Sequence, residues 1–72
     1  MINKNVILTV FTPTYNRKNT LKRTYSSLCN QTRKDFVWLV VDDGSTDGTA
    51  NLVNRWRADD NDFEIQYIYK EN

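Results

Sequence analysis

The sequence predicts an α/β fold in which three parallel strands alternate with two helices, β-α-β-α-β. Three observations carry this. Apolar runs of strand length occur at Val6 to Phe11, Phe36 to Val41 and Phe63 to Tyr69. The two segments between them repeat their apolar residues at helical spacing. The first two runs also end abruptly, one at Pro13 and the other at Asp42-Asp43-Gly44-Ser45. Strands that alternate with helices need crossover connections, which are right-handed and make neighbouring strands parallel.

The elements can be justified in order. Val6-Ile7-Leu8-Thr9-Val10-Phe11 is β-branched and aromatic, the composition of a buried strand, and Pro13 is expected to stop it because proline has no N–H for a ladder. From about Arg17 to Gln31 the period changes. Leu21, Tyr25, Leu28 and Cys29 share a helix face, while Lys18, Lys22, Arg23 and Ser26 lie elsewhere. Asn16 and Asn19 are both candidate N-caps. Cys29 is expected as a small core residue rather than a reactive thiol.

Phe36 to Val41 is continuously apolar, which favours a strand buried on both faces. Gly44-Ser45 turns the chain, and Ser45 or Thr46 can cap a helix that runs to about Ala58. Asp47 sits near its positive end, and Arg55 and Arg57 near its negative end. Ala50, Val53 and Trp56 form its packing face, with Leu52 beside it. Asp59 to Asp62 is a polar loop, and Phe63 to Tyr69 mostly alternates as a third strand. The chain ends straight after that strand with no closing helix, so it reads as a fragment of a larger α/β domain.

Composition narrows the function classes. Seventy-two residues allow one domain at most, and below roughly 70–80 residues one core is marginal without a staple or partner. The single cysteine excludes an internal disulfide, and the absence of histidine excludes Ser/His/Asp and Cys/His catalytic sets. A net charge of +1 with interleaved signs gives no electrostatic case for nucleic acid. Neither a signal peptide nor a run near the roughly 20 apolar residues of a membrane span is present. The chain reads as cytoplasmic, with any membrane attachment supplied by other parts of a longer protein.

The chemistry concentrates where the first two strands end. Ligands of parallel sheets collect just beyond the carboxyl ends of the strands. Asp42 and Asp43 stand there, able to accept hydrogen bonds from a nucleotide or sugar, or to help hold a cation. Successive strand side chains point to opposite faces, so one acid is expected to meet ligand and the other to bind N–H groups of the Gly44-Ser45 turn. The competing reading is that both only cap the turn. An EF-hand is a poor alternative: Asp43, Ser45 and Asp47-Gly48 mimic its start, but the twelfth position counted from Asp43 is Asn54 where a bidentate Glu is needed. Tyr15, after the proline turn, can stack on a base or pack against the next helix. Arg17 reads as a solvated helix-start charge rather than a phosphate ligand. Asp60 and Asp62 read as solvated surface. No Gly-x-Gly-x-x-Gly or P-loop pattern is present, so side chains and strand-end loops must hold any nucleotide.

The segments Val10-Phe11-Thr12-Pro13-Thr14-Tyr15-Asn16-Arg17, Ser26-Ser27-Leu28-Cys29-Asn30-Gln31-Thr32 and Phe36 through Thr49 resemble family 2 glycosyltransferases of the GT-A fold. Each piece alone is weak, but P-T-Y-N-R, S-L-x-x-Q-T and V-D-D-G-S-T-D-G-T in this order are specific, and they cover nearly the whole chain. The resemblance implies a Rossmann-like half that binds the nucleotide of a UDP-sugar. It places Pro13 and Tyr15 along the base pocket, with the Tyr15 ring against uracil. Asp43 accepts from the uracil N3–H, and Asp42 supports the turn or the nucleoside.

The resemblance also implies an inverting transferase acting on a glycan or other hydroxyl acceptor. Its divalent metal, Mg or Mn, is held by an Asp-x-Asp motif beyond Asn72, and its general base lies further on. Residues 1–72 alone are therefore expected to be inactive. In the family's sheet the first strand is central, so this piece is expected to expose one edge of it and to self-associate as a homodimer. Trp38, Trp56 and the tyrosines of the third strand are the residues expected to be left partly bare. Two other classes remain open from the residues alone, a non-catalytic nucleotide-binding module and a Mg-dependent α/β switch module. The switch module wants its acid pair after the first strand and a further acid after the third.

Overall fold

The computed structural model describes residues 8–59 and 61–71. The elements follow in the predicted order: β1 (Leu8–Thr14), α1 (Lys18–Cys29), β2 (Phe36–Asp42), α2 (Thr49–Ala58) and β3 (Glu64–Tyr69). The strands form one parallel sheet in the order β1-β2-β3, with Val10 opposite Trp38 and Trp38 opposite Ile65. Two right-handed crossovers stepping the same way across a sheet give this order, and they place both helices on one face.

β1 differs from expectation at its end. It continues through Pro13 to Thr14, where Val6 to Phe11 had been expected; Val6 and Ile7 lie outside the described residues. The Thr14 carbonyl accepts from the Asp43 N–H at 2.9 Å, so the main chain of Thr14 faces β2. Alternation then turns the nitrogen of Pro13 toward the open edge, where a missing N–H costs no ladder bond. The missing donor stops a strand only where a neighbour needs it.

β2 is also not buried on both faces. Its even positions, Phe36, Trp38, Val40 and Asp42, are buried under the helices, while Val37, Leu39 and Val41 are half-buried on the other side. Among the described residues nothing covers that second face. It carries Phe11 at 59% exposure, the three half-buried aliphatics of β2, and Ile68 at 48%. The expectation that Trp38 and Trp56 would be bare is overturned, because both lie on the covered side and are buried. Of the third-strand tyrosines, Tyr67 is half-buried and Tyr69 exposed.

The core gathers Leu21 and Leu28 from α1, Val53 and Trp56 from α2, Trp38 and Val40 from β2, and Phe63 and Ile65 around β3. Tyr25 of α1 forms a triangle of rings with the two indoles, stacked on Trp56 at a centroid distance of 4.2 Å and on Trp38 at 5.9 Å, with the indoles 5.8 Å apart. Such aromatic pairs add about 0.5–1.5 kcal/mol each beyond the area they bury. Its hydroxyl donates to Asn61 Oδ1 at 2.7 Å, which ties the polar loop after α2 to α1. The Trp38 indole N–H donates to Thr12 Oγ1 at 2.9 Å, so this large side chain is buried with its polar atom satisfied.

Cys29 is exposed, contrary to expectation. At about 100° per residue, Leu21, Tyr25 and Leu28 fall within roughly 60° of one another, whereas Cys29 lies about 80° from Leu21. It is also the last residue of α1. The helix stops there rather than at Gln31, and the Lys34 ammonium donates to the carbonyls of Cys29 and Gln31, a favourable place for a cation.

Candidate functional site at the strand ends

The carboxyl ends of β1 and β2 lie side by side, joined by the Asp43 N–H to Thr14 carbonyl bond of 2.9 Å. This bond carries the strand alternation one step beyond β2. Asp42, in register with Thr14, therefore points to the helix side, while Pro13 and Asp43 leave on the opposite side. Tyr15 follows at once and is 47% exposed; Pro13 and Asp43 are exposed as well. Pro13, Tyr15 and Asp43 are thus all exposed at the ends of two neighbouring strands, which form an open shelf.

Asp42 occupies a different environment. It has no solvent exposure. Its Oδ1 accepts from the Ser45 N–H at 2.9 Å, and its Oδ2 from the Tyr67 hydroxyl at 2.5 Å. Its own carbonyl accepts from the Lys70 N–H at 2.7 Å. A buried carboxylate must be compensated by donors, and here the turn supplies one and β3 the other. Burial, followed by the adjacent Asp42 carboxylate, pushes the Tyr67 phenol above its ordinary value of 10.0. The proton therefore stays on the tyrosine, and Tyr67 remains a donor.

The loops are held by residues whose roles the sequence did not reveal. Neither Asn16 nor Asn19 caps α1, and neither Ser45 nor Thr46 caps α2; the residues at the cap positions are Arg17 and Gly48, and neither gives a side-chain bond. Asp47 serves both helices instead. Its Oδ2 accepts from the Lys18 N–H at 3.2 Å, and its Oδ1 from the N–H and hydroxyl of Thr49 at 3.2 and 2.5 Å. The Thr49 hydroxyl chiefly, with the N–H groups of Lys18 and Thr49, draws the Asp47 carboxyl below its ordinary 3.8. Asn16 takes its N–H to Ser45 Oγ and offers its Oδ1 to the Thr46 N–H, both at 2.8 Å. Gly48 has φ 88°, a left-handed conformation that explains a glycine at this helix start. Thr49 is a local partner of Asp47, but the partners of Asn16 and the Lys18 partner of Asp47 lie 29 or 30 residues away in sequence, so no local pattern points to those bonds.

The described residues do not fit a metal ion. No three of His, Cys, Asp or Glu converge among them, and both oxygens of Asp42 are already taken. Asp62 is exposed, and Asp60 lies outside the described residues. The third strand ends at Tyr69 and is followed directly by Lys70, not by the acid the switch module wants there. Among the described residues no helix is long and apolar enough to cross a membrane. A hollow of ≈ 380 Å³ beside Leu8, Val10, Leu28 and Phe36 lies at the opposite end of the strands, remote from Tyr15 and Asp43.

Comparison with known proteins converges on one family. The sequence model described as Glycosyl transferase family 2 matches residues 9–72. A validoxylamine A glucosyltransferase of Streptomyces hygroscopicus subsp. jinggangensis is 41% identical over 68 residues, covering 92% of this chain and 15% of its own length. The GalNAc(5)-diNAcBac-PP-undecaprenol beta-1,3-glucosyltransferase of Campylobacter jejuni is 37% identical over 65 residues, covering 90% and 20%. An abequosyltransferase of Salmonella typhimurium is 37% identical over 62 residues, covering 83% and 18%. The chain therefore spans a fifth or less of the length of these three relatives. No solved structure matches it. With a parallel β-α-β-α-β sheet, a strand-end shelf and a match over residues 9–72, the chain belongs to the family 2 glycosyltransferases.

Proposed function

We infer that residues 1–72 form the nucleotide-binding part of an inverting glycosyltransferase that moves a sugar from a UDP-sugar to a hydroxyl of a glycan or other acceptor. The observation that carries this reading is the exposure of Tyr15 and Asp43 at the ends of adjacent parallel strands, fastened by the 2.9 Å bond between Thr14 and Asp43. A flat ring and a carboxylate exposed at neighbouring strand ends suit a planar base with an N–H on its edge. Tyr15 stacks on uracil, Pro13 lines the same side, and Asp43 accepts from N3–H. Asp42 supports the pocket from beneath by holding the turn. The divalent metal, Mg or Mn, and the general base belong to residues outside this chain, so the 72-residue piece alone carries out no transfer. A lipid-linked glycan is one acceptor of the proposed class, since the Campylobacter relative's name carries an undecaprenol carrier.

Calorimetry on the protein at its natural length tests the pocket. Asp43→Asn should weaken UDP by about 1–3 kcal/mol, the cost of a mispaired polar group. Tyr15→Ala should cost a similar ~1–3 kcal/mol of stacking, and Tyr15→Phe much less. UDP affinity unchanged in both Asp43→Asn and Tyr15→Ala would refute the assignment.

A further inference from the structure

We propose that Asn16 is a positioning residue for nucleoside recognition, which clasps the end of β1 to the Ser45-Thr46 turn and so sets the spacing of the Tyr15 ring and the Asp43 carboxylate before any ligand arrives. The inference rests on the base-pocket reading above and adds a residue that makes no ligand contact itself.

Four hydrogen bonds stitch the two strand-end loops. They run from Asp43 N–H to the Thr14 carbonyl, from Asn16 N–H to Ser45 Oγ, from Thr46 N–H to Asn16 Oδ1, and from Lys18 N–H to Asp47 Oδ2. Tyr15 lies between the first two, so the residues on either side of it are both anchored to the β2 loop. Asn16 supplies two of the four, one from its main chain and one from its side chain. Its φ of 50° is left-handed, and asparagine is among the few residues besides glycine that accept this conformation readily. That bend lets the main-chain N–H and the side-chain oxygen of one residue meet consecutive residues of the facing loop.

The clasp continues inward. Ser45 accepts from Asn16 through its hydroxyl and donates through its N–H to Asp42, which in turn accepts from Tyr67. One hydrogen-bonded chain thus crosses the ends of all three strands. Asp43 stands between the Asp42 and Ser45 members of this chain, and Tyr15 is next to its last member. Both proposed ligand contacts are therefore carried by backbone that the network holds. Recognition of a base by one ring and one carboxylate depends on their separation, and groups held in place beforehand lose less on binding.

The test uses Asn16→Ala, Asn16→Gly and Asn16→Asp in the protein at its natural length. UDP and uridine are titrated well below each variant's melting temperature, so that affinities refer to folded protein. Asn16→Ala loses both the acceptor and the preference for left-handed φ, and should weaken UDP and uridine alike by about tenfold. Asn16→Gly keeps the conformational freedom but loses the acceptor, and should fall between Asn16→Ala and wild type. Asn16→Asp keeps both and should stay within about threefold of wild type. In an Asp43→Asn background, Asn16→Ala should add less than its full effect on the wild type, because the part that acts through the Asp43 contact is already lost. Wild-type affinity in Asn16→Ala and Asn16→Gly, full additivity with Asp43→Asn, or equal loss in Asn16→Asp and Asn16→Ala would each overturn the proposal. If Asn16→Ala does not fold, Asn16→Gly carries the comparison. A wild-type protein with no uracil-dependent binding refutes the underlying pocket; weakening by Tyr15→Ala and Asp43→Asn with none by Asn16→Gly refutes only the positioning role.

Discussion

Asp42→Ala should be among the most damaging single substitutions at the strand ends, through stability rather than through ligand contact. The side chain is wholly buried and accepts from Ser45 N–H and the Tyr67 hydroxyl. Truncation leaves the buried Ser45 N–H without a partner, at a cost of about 1–3 kcal/mol. Tyr67 is half-buried and its hydroxyl can find water, so its loss should cost about 1 kcal/mol, the low end of the same range. The void left by the carboxyl group adds to this, and relief from burying a charge subtracts from it. The net expectation is roughly 2–4 kcal/mol, a large share of the 5–15 kcal/mol by which domains are stable. Asp42→Asn should cost only about 1 kcal/mol, because its carbonyl still accepts from Ser45 and its amide can donate to the tyrosine oxygen. Urea unfolding followed by the fluorescence of the buried Trp38 and Trp56 reads both values. An Asp42→Ala protein within about 0.5 kcal/mol of wild type, the scatter of ordinary surface changes, would refute the reasoning. So would equal losses in Asp42→Asn and Asp42→Ala.

Alkaline titration followed by tyrosinate absorbance should show two late phenols. Tyr25 is pushed up to about 12, chiefly by burial, and Tyr67 is held above its ordinary 10.0; Tyr67→Phe should remove one late step. Because the Tyr67 value is raised on folding, its contribution to stability should be complete below pH 10.0 and fade as pH rises through the folded value. Asp47→Ala should cost about 1–2 kcal/mol near neutral pH, as expected for loss of a helix cap. The Asp47 value is lowered on folding, so the gap between wild type and Asp47→Ala should be full above pH 3.8 and close as pH falls through the folded value. A gap independent of acid pH would contradict the double cap. Residues 1–72 as a separate chain should self-associate through the uncovered sheet face, and Phe11→Lys with Ile68→Lys should suppress this. Light scattering that gives a clean 8.5 kDa monomer for the unaltered chain would count against an exposed docking face.

The order of elements, their parallel direction and most of the core were legible in the sequence, because periodicity and strand-forming composition are local properties. Phe36 to Val41 and the Leu21-Tyr25-Leu28 face needed no partner to be recognised. The shelf was legible for a related reason: Pro13, Tyr15 and Asp43 occupy strand ends, and topology sends the ends of parallel strands to one side. Three matters were decided only by tertiary structure. The end of β1 depended on which way the Pro13 nitrogen faced, and that is known only once β2 lies on the other side. The burial of Trp38 and Trp56 depended on both helices sharing one face, a consequence of two crossovers stepping in the same direction. The division of labour between Asp42 and Asp43, the bonds made by Asn16, and the bond from Lys18 to Asp47 arise between segments brought together by the fold, the last two between loops 29 or 30 residues apart. Spacing along the chain showed that the two acids must point apart. Only the arrival of Tyr67 from β3 beside Asp42, with the β1 end beside Asp43, determined which acid is buried and which faces solvent.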